Sequence, residues 1–273
     1  MRRVVLPALL SFAAIAASGA ARAADLPAPY IAPPLEVSAA GWYLRGDIGF
    51  SNQKLGSLTS VEDSTTDFTW LANEFDAAPI FGAGVGYKFN DWLRVDVTGE
   101  YRGKSSFNGM DSYVYWDGDT PVTRTNRYTA DKSEWLFLAN AYLDLGTWYS
   151  ITPFVGAGIG ASRNTISGYT DTDSTPGYES FGYANSDSKW NFAWALYAGL
   201  AYQVTPNFTI EFAYRYVDLG DGITGDVRAA DGTSSYYNPV SFNDITSQDF
   251  RLGLRWLLGD ATVVEAYPVV RKD

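Results

Sequence analysis

Apolar and polar residues alternate with a period of two through most of this 273-residue chain beyond residue 41. Successive side chains of a β-strand point to opposite faces of a sheet, so the alternation indicates strands whose faces meet different environments. It recurs in eight segments: residues 42–50, 80–89, 93–102, 134–145, 155–162, 190–204, 208–216 and 249–256. The sequence therefore predicts an all-β protein with eight strands.

The connections between these segments alternate between short and long. The short ones contain turn-forming residues and lie near residues 90–91, 146–150 and 206–207. The long ones are residues 56–78, 103–132, 167–188 and 220–245. Short turns at one end and long loops at the other are typical of barrels in the bacterial outer membrane. We therefore expect an antiparallel up-and-down transmembrane β-barrel over residues 41–258, with short periplasmic turns and four long extracellular loops.

A soluble eight-stranded barrel around a small lipophilic ligand would show the same alternation, and side-chain volume distinguishes the two. One face of the strands carries five tryptophans: Trp42, Trp135, Trp190, Trp194 and Trp256. The other face carries charges and six glycines: Gly82, Gly84, Gly86, Gly156, Gly158 and Gly160. The interior of an eight-stranded barrel is only just wide enough for side chains to fill. The aromatic face is therefore expected outside, in lipid, with aromatic girdles at both membrane surfaces.

The first 23 residues have the layout of a secretory signal peptide. Arg2 and Arg3 precede an apolar stretch over residues 4–17, and small residues follow up to a predicted cleavage point between Ala23 and Ala24. A membrane-anchoring helix is the weaker interpretation because this apolar stretch is too short to cross a bilayer. Residues 24–40 contain four of the twelve prolines and predict an extended periplasmic tether. We therefore expect a mature protein that leaves the cytoplasm for the outer membrane.

The composition excludes several functions. The chain has no histidine and no cysteine, so histidine-dependent catalysis, thiolate chemistry and disulfides are ruled out. Two-carboxylate chemistry stays compatible with the composition, although no carboxylate pair stands out. The net charge of −11, which becomes −14 without residues 1–23, argues against a nucleic-acid partner. We expect no enzyme activity, no catalytic residue, no cofactor and no dedicated metal site.

Seven charges of each sign lie on the predicted inner face. They are Arg45, Lys88, Arg94, Arg102, Arg215, Arg251 and Arg255 against Asp47, Asp96, Glu100, Glu134, Asp144, Glu211 and Asp249. A buried charge without a partner is very costly, so these groups are expected to pair with one another and close the lumen. A narrow or gated channel for ions or small solutes is the alternative. A wide pore is excluded because water-filled lumens need roughly 16 strands.

The long loops are the other candidate for function, because loops face outward and carry few structural constraints. Two of them are acidic, with Glu62, Asp63, Asp67, Glu74 and Asp76 in the first and Asp171, Asp173, Glu179 and Asp187 in the third. They would repel anionic lipopolysaccharide, the expected lipid partner, unless divalent cations bridge the charges. Solvated loops without bound cations are the simpler interpretation.

Four stretches carry a family resemblance: residues 24–27 (ADLP), 79–90 (PIFGAGVGYKFN), 153–161 (PFVGAGIGA) and 250–258 (FRLGLRWLL). In this order they resemble the porin-like small outer-membrane β-barrel proteins of alphaproteobacteria, within the opacity and OmpA-like superfamily. The resemblance implies an eight-stranded barrel inserted by the barrel-assembly machinery, which would recognise the last strand through Gly253, Trp256 and Leu258. Residues 259–273 continue past that strand and predict a short periplasmic tail. The expected role is structural or in surface interaction, with a small porin-like diffusion channel as the alternative.

Overall fold

The computed structural model describes residues 40–59, 69–235 and 238–259, which form twelve β-strands. These are β1 (Gly41–Lys54), β2 (Ser57–Thr59), β3 (Thr69–Phe75), β4 (Ala78–Lys88), β5 (Leu93–Asp117), β6 (Thr120–Asp144), β7 (Ile151–Asp173), β8 (Ser180–Ala184), β9 (Asp187–Gln203), β10 (Phe208–Ile223), β11 (Val227–Ala229) and β12 (Ser241–Leu258). The described residues contain no helix that is long and apolar enough to cross a membrane. The predicted signal peptide with its cleavage point at Ala23 and Ala24, nearly all of the tether, and the tail beyond residue 259 lie outside the described residues.

Eight of the strands pair in a closed cycle. The order is β1, β4, β5, β6, β7, β9, β10 and β12, and β12 pairs again with β1. Every one of these pairs is antiparallel, and each strand overlaps one of the eight segments predicted from the alternation. The prediction of an all-β antiparallel fold is therefore confirmed.

Several strands are much longer than the alternation predicts. β5 and β6 have 25 residues each and β7 has 23. Residues 103–132, predicted as a loop, are mostly a hairpin of β5 and β6 that turns at Gly118, whose φ is 61°. Backbone hydrogen bonds between strands need no apolar face, and β3 and β7 pair with the base of this hairpin, so its polar sequence did not prevent strand formation. Outside the cycle, β3 pairs with β5, β8 with β7, β11 with β8, and β2 with β12.

The three short turns lie together at one end of the cycle, which we call the short-turn end. In the turn between β4 and β5, the side-chain oxygen of Asn90 accepts hydrogen bonds from the backbone N–H groups of Trp92 (3.0 Å) and Leu93 (2.8 Å). The turn between β6 and β7 places Tyr149 and Ser150 at positive φ, 52° and 66°. Such compact turns return the chain at once to the neighbouring strand.

Bulky side chains cover the outside of the cycle. Trp42, Trp135, Trp190 and Trp256 are each about half exposed (59%, 46%, 58% and 54%), as the volume argument predicts. The fifth tryptophan of that face, Trp194, is partly covered by the ring of Tyr216, with centroids 5.5 Å apart. Most of the inner-face charges are buried instead, so the two faces of the strands meet opposite environments.

Candidate functional site

The inner face of the cycle holds an upper cluster of buried charges. Its six members are Glu100, Arg102, Glu134, Arg215, Asp249 and Arg251. The Arg215 guanidinium donates to both carboxylate oxygens of Glu100, at 2.6 and 3.1 Å, and its Nε donates to Asp249 at 2.8 Å. Arg102 pairs with Glu134 at 2.9 Å and with Asp249. Each carboxylate therefore has a cationic partner, which offsets the cost of burying the charges.

A lower cluster lies nearer the short-turn end. It contains Arg45, Asp47, Arg94, Asp96, Asp144, Glu211 and Arg255. Arg45 donates to Asp96 at 2.7 Å and to Asp47 at 2.8 Å. Arg94 pairs with both Asp144 and Glu211 at 3.2 Å, and its guanidinium carbon lies 4.2 Å from the centroid of the Tyr142 ring. Aromatic rings thus fill space that water would occupy in an open lumen.

One arginine connects the two clusters. Nη2 of Arg251 lies 3.2 Å from a carboxylate oxygen of Asp47 in the lower cluster and 3.2 Å from one of Glu100 in the upper cluster. Thirteen of the fourteen inner-face charges predicted from the sequence fall in these clusters. The exception is Lys88, which is partly exposed at the short-turn end and pairs with Asp91 of the turn at 3.3 Å.

Lys132 is a buried cation that the sequence interpretation missed. It lies directly above the upper cluster, where its ammonium contacts Glu134 and donates to Gln53 at 2.9 Å. The available signal was its position two residues before Glu134, because residues two apart share a face of a strand. It was overlooked because β6 was expected to begin only at residue 134.

An aromatic layer covers the charges on the side away from the short-turn end. Phe75, Phe107 and Phe242 are almost completely buried, and the Phe107 ring centroid lies 5.1 Å from both of the others. Tyr169 packs edge-on against Phe242 at 6.5 Å. Side chains therefore fill the inside of the cycle from the lower cluster to this layer.

The sheet continues past the aromatic layer as the ribbon, which we define as residues 104–131 of β5, β6 and their turn and which contributes Phe107 to that layer. On the inner side of the ribbon, Arg124 donates to the backbone oxygen of Tyr178 at 3.0 Å and pairs with Asp173 at 2.6 Å. The hydroxyl of Tyr178 donates to Asp117 at 2.6 Å. The ribbon is thus fastened to the segment between β7 and β8.

Several acids lie at the ribbon, away from the two clusters of ion pairs. Asp111 belongs to the ribbon itself, and Asp171 and Asp173 lie on β7, which pairs with it. Tyr128 donates to Asp111 at 2.7 Å. Burial, together with the nearby carboxylates of Asp111 and Asp173, raises the pKa of Asp171 to about 7, although Arg124 acts in the opposite direction. Protonation near neutral pH relieves the repulsion that these acids would otherwise exert.

The described residues show no group of three or more acidic side chains arranged to hold a metal ion. Those residues include the third-loop acids predicted to attract divalent cations. The first-loop acids Glu62, Asp63 and Asp67 lie outside the described residues.

The exposed side of the ribbon tip carries apolar side chains. Val114 and Trp116 are 51% and 62% exposed, and their cross-strand partners are Thr123 and Pro121. Phe181 of β8, a strand that pairs with β7, is also exposed. Exposed apolar side chains that lie close together often mark a contact surface for another molecule.

The predicted assembly residues lie on β12 near the short-turn end. Trp256 and Leu258 are exposed on the outer face and pair with Leu44 and Trp42 of β1. Gly253 faces inward, where a Cβ atom would approach the carboxylate of Asp47 to 2.8 Å. This placement is compatible with a lipid-facing strand end, while recognition by an assembly machine stays a prediction.

Comparison with known proteins gives a consistent assignment. Residues 9–257 match the family model described as the outer membrane protein beta-barrel domain. An uncharacterized protein of Brucella abortus is 32% identical over 242 residues, which cover 81% of this chain and 84% of that protein. A Rickettsia prowazekii protein for which an adhesin role has been suggested is 27% identical over 190 residues, covering 68% of this chain and 75% of that protein. The crystal structure of Neisserial surface protein A aligns with 81% of this chain and 99% of its own, with a TM-score of 0.42 and 16% identity.

Proposed function

Because the chain belongs to the outer membrane protein β-barrel family, we propose that its closed cycle of eight strands is a transmembrane barrel and that its ribbon makes contacts outside the cell. The exposed outer face would contact lipid, with aromatic girdles at both membrane surfaces. The short-turn end would face the periplasm, so the ribbon would project from the cell. The location in the bacterial outer membrane follows from the family itself.

The interior supports a closed lumen. Two clusters of ion pairs and the aromatic layer succeed one another along the inside of the cycle, and their members are almost all buried. An eight-stranded barrel has an interior only just wide enough for its side chains, so ions would have to displace paired charges in order to pass. A barrel of this kind would serve as a rigid anchor for its extracellular part, and this role requires no catalytic chemistry.

We expect the full-length protein to produce no conductance steps above the lipid baseline in planar bilayers. The double variant Phe107→Ser and Phe242→Ser, which removes two rings of the aromatic layer, is also expected to stay closed because both ion-pair clusters remain. Steps from the unmodified protein would show instead a small porin-like diffusion channel. Steps from the double variant alone would assign the closure to the aromatic layer.

The contact role rests on the exposed apolar tip of the ribbon. An adhesin role has been suggested for the Rickettsia relative, and we propose adhesion as the contact function of this chain. Apolar side chains held outside the membrane cost solvation free energy, and a partner that covers them would recover part of it. Strand pairing in the ribbon fixes the backbone that carries these side chains, which lowers the entropic cost of binding.

A non-adherent bacterial strain that displays the protein should adhere to cultured animal cells more than the same strain without it. The variant Val114→Ser with Trp116→Ser should lower that adherence several-fold, because it removes both apolar groups from the tip. Thr123→Ala, at the cross-strand partner of Val114, is the matched control and should leave adherence unchanged. Equal adherence of the double variant and the unmodified protein would contradict a role for the tip.

A further inference from the structure

The outer face of the barrel carries an arginine between two tryptophans at the end away from the short turns. Arg163 of β7 is the direct cross-strand partner of Trp135 on β6 and of Trp190 on β9. All three side chains are exposed on the outer face. Within the described part of the chain, Arg163 has no carboxylate partner. At the membrane interface such a cation is within reach of water and of lipid phosphate groups, and a phosphate group would give it the anionic partner that the protein does not supply.

The cross-strand neighbours on either side of the Arg163 row, along β6, β7 and β9, differ in chemistry. The row farther from the short-turn end consists of hydroxyl residues, with Thr165 paired to Ser133 and to Ser188, whose hydroxyl lies 2.9 Å from that of Thr165. The row nearer the short-turn end places Ala161 between Phe137 and Phe192. The outer face therefore carries hydroxyl groups farthest from the short-turn end, then a cation at the girdle, then apolar groups. This order matches that of the polar, charged and apolar groups along a membrane lipid.

Below these rows the outer face contains an apolar hollow of about 850 Å³. Its wall runs from Ile159 and Ala157 of β7 and Ala139 and Ala141 of β6 across β5 and β4 to Phe89 and Trp42 at the short-turn end. Ile159 lies four residues along the strand from Arg163, which is about 13 Å. Small side chains between larger ones leave room for an acyl chain that descends from a headgroup held at Arg163.

We propose that Arg163 and its neighbours form a binding site for a phosphate group of lipopolysaccharide, with an acyl chain of the same molecule in the hollow. The Arg163 guanidinium would donate charge-assisted hydrogen bonds to the phosphate, and the hydroxyls of Thr165 and Ser188 would contact the sugar headgroup. Lipopolysaccharide is favoured over a periplasmic-leaflet phospholipid because Arg163 lies at the end of the barrel that carries the ribbon. This site depends only on the transmembrane placement, and it does not depend on the proposed contact role of the ribbon.

The site would also determine how an acidic protein sits beside an anionic lipid. The described extracellular segments contain many acids, among them Asp187, Asp226 and Asp231, which repel lipopolysaccharide phosphates. Arg163 lies at the membrane surface, where it would bind the phosphate below these acids. Direct pairing of this kind would make bridging divalent cations unnecessary at this position.

The test is titration of the refolded full-length protein in detergent with purified diphosphoryl lipid A, followed by native mass spectrometry. We expect Arg163→Gln to weaken binding about tenfold or more, since it removes a charge-assisted contact, and Arg163→Lys to retain part of the affinity. Arg228→Gln is the matched control, because Arg228 is an exposed extracellular arginine already paired with Asp226 at 3.0 Å. A heat-dependent gel mobility shift of each variant verifies that the barrel has folded.

One binding comparison and two competition experiments decide the source of the phosphate. Lipid A without phosphate groups should bind as weakly as diphosphoryl lipid A binds to Arg163→Gln. Inorganic phosphate and phosphatidylglycerol at the same concentration should fail to displace diphosphoryl lipid A. Equal binding by Arg163→Gln and the unmodified protein, or full displacement by either competitor, would overturn the proposal.

Discussion

Replacing Arg215 with methionine is expected to destabilise the folded barrel by about 3–5 kcal/mol, the usual consequence of removing one partner from a buried ion pair. Arg215 donates two hydrogen bonds to Glu100 and one to Asp249, and all three side chains are buried. Methionine fills similar space but leaves the two carboxylates with one cationic partner fewer. The measurement is the free energy of unfolding in urea, with the protein inserted in phospholipid vesicles.

Two further variants separate this explanation from a general effect of losing an arginine. Arg228→Met removes an exposed arginine paired with Asp226, and solvent-exposed pairs of this kind contribute little to stability. Adding Glu100→Gln to Arg215→Met should restore part of the lost stability, because the upper cluster then again has equal numbers of positive and negative charges. A loss below about 1 kcal/mol for Arg215→Met would mean that water solvates these groups, and the channel would then become the better interpretation.

The alternation of side chains was sufficient to locate the strands and to orient their faces. Thirteen of the charges that the alternation assigned to the inner face lie in the two clusters, because residues two positions apart in a strand share a face. The alternation could not show which of those charges form ion pairs with one another. Arg102 and Asp249 are 147 positions apart, and only the pairing of strands around the cycle brings them together.

The alternation predicted which segments form strands better than it predicted where each strand ends. Residues 104–131 alternate only weakly, so the ribbon looked like a loop, and Lys132 was assigned to that loop with it. The alternation also could not predict the Arg163 site. Arg163 continues the outward series of Ala157, Ile159 and Ala161, but its position between Trp135 and Trp190 depends on the register of three strands.

Glycine residues of the inner face offer a comparison within one strand. Gly82 and Gly86 both lie on β4 and point into the barrel, yet their surroundings differ. A Cβ atom added to Gly86 would lie 2.3 Å from the Tyr43 ring and 2.5 Å from the backbone oxygen of Val95. A Cβ atom added to Gly82 would meet nothing closer than 3.6 Å, which is ordinary van der Waals contact.

We therefore expect Gly86→Ala to destabilise the barrel by about 1–3 kcal/mol, the typical cost of overpacking, and Gly82→Ala to change its stability by less than about 0.5 kcal/mol. The ring of Tyr43 would have to move, although its hydroxyl donates to Asp96 at 3.0 Å in the lower cluster. The loss at Gly86 would thus combine steric strain with a weakened buried hydrogen bond. Urea unfolding of both variants in vesicles measures the difference, and equal stabilities would show that the interior has spare volume at the short-turn end.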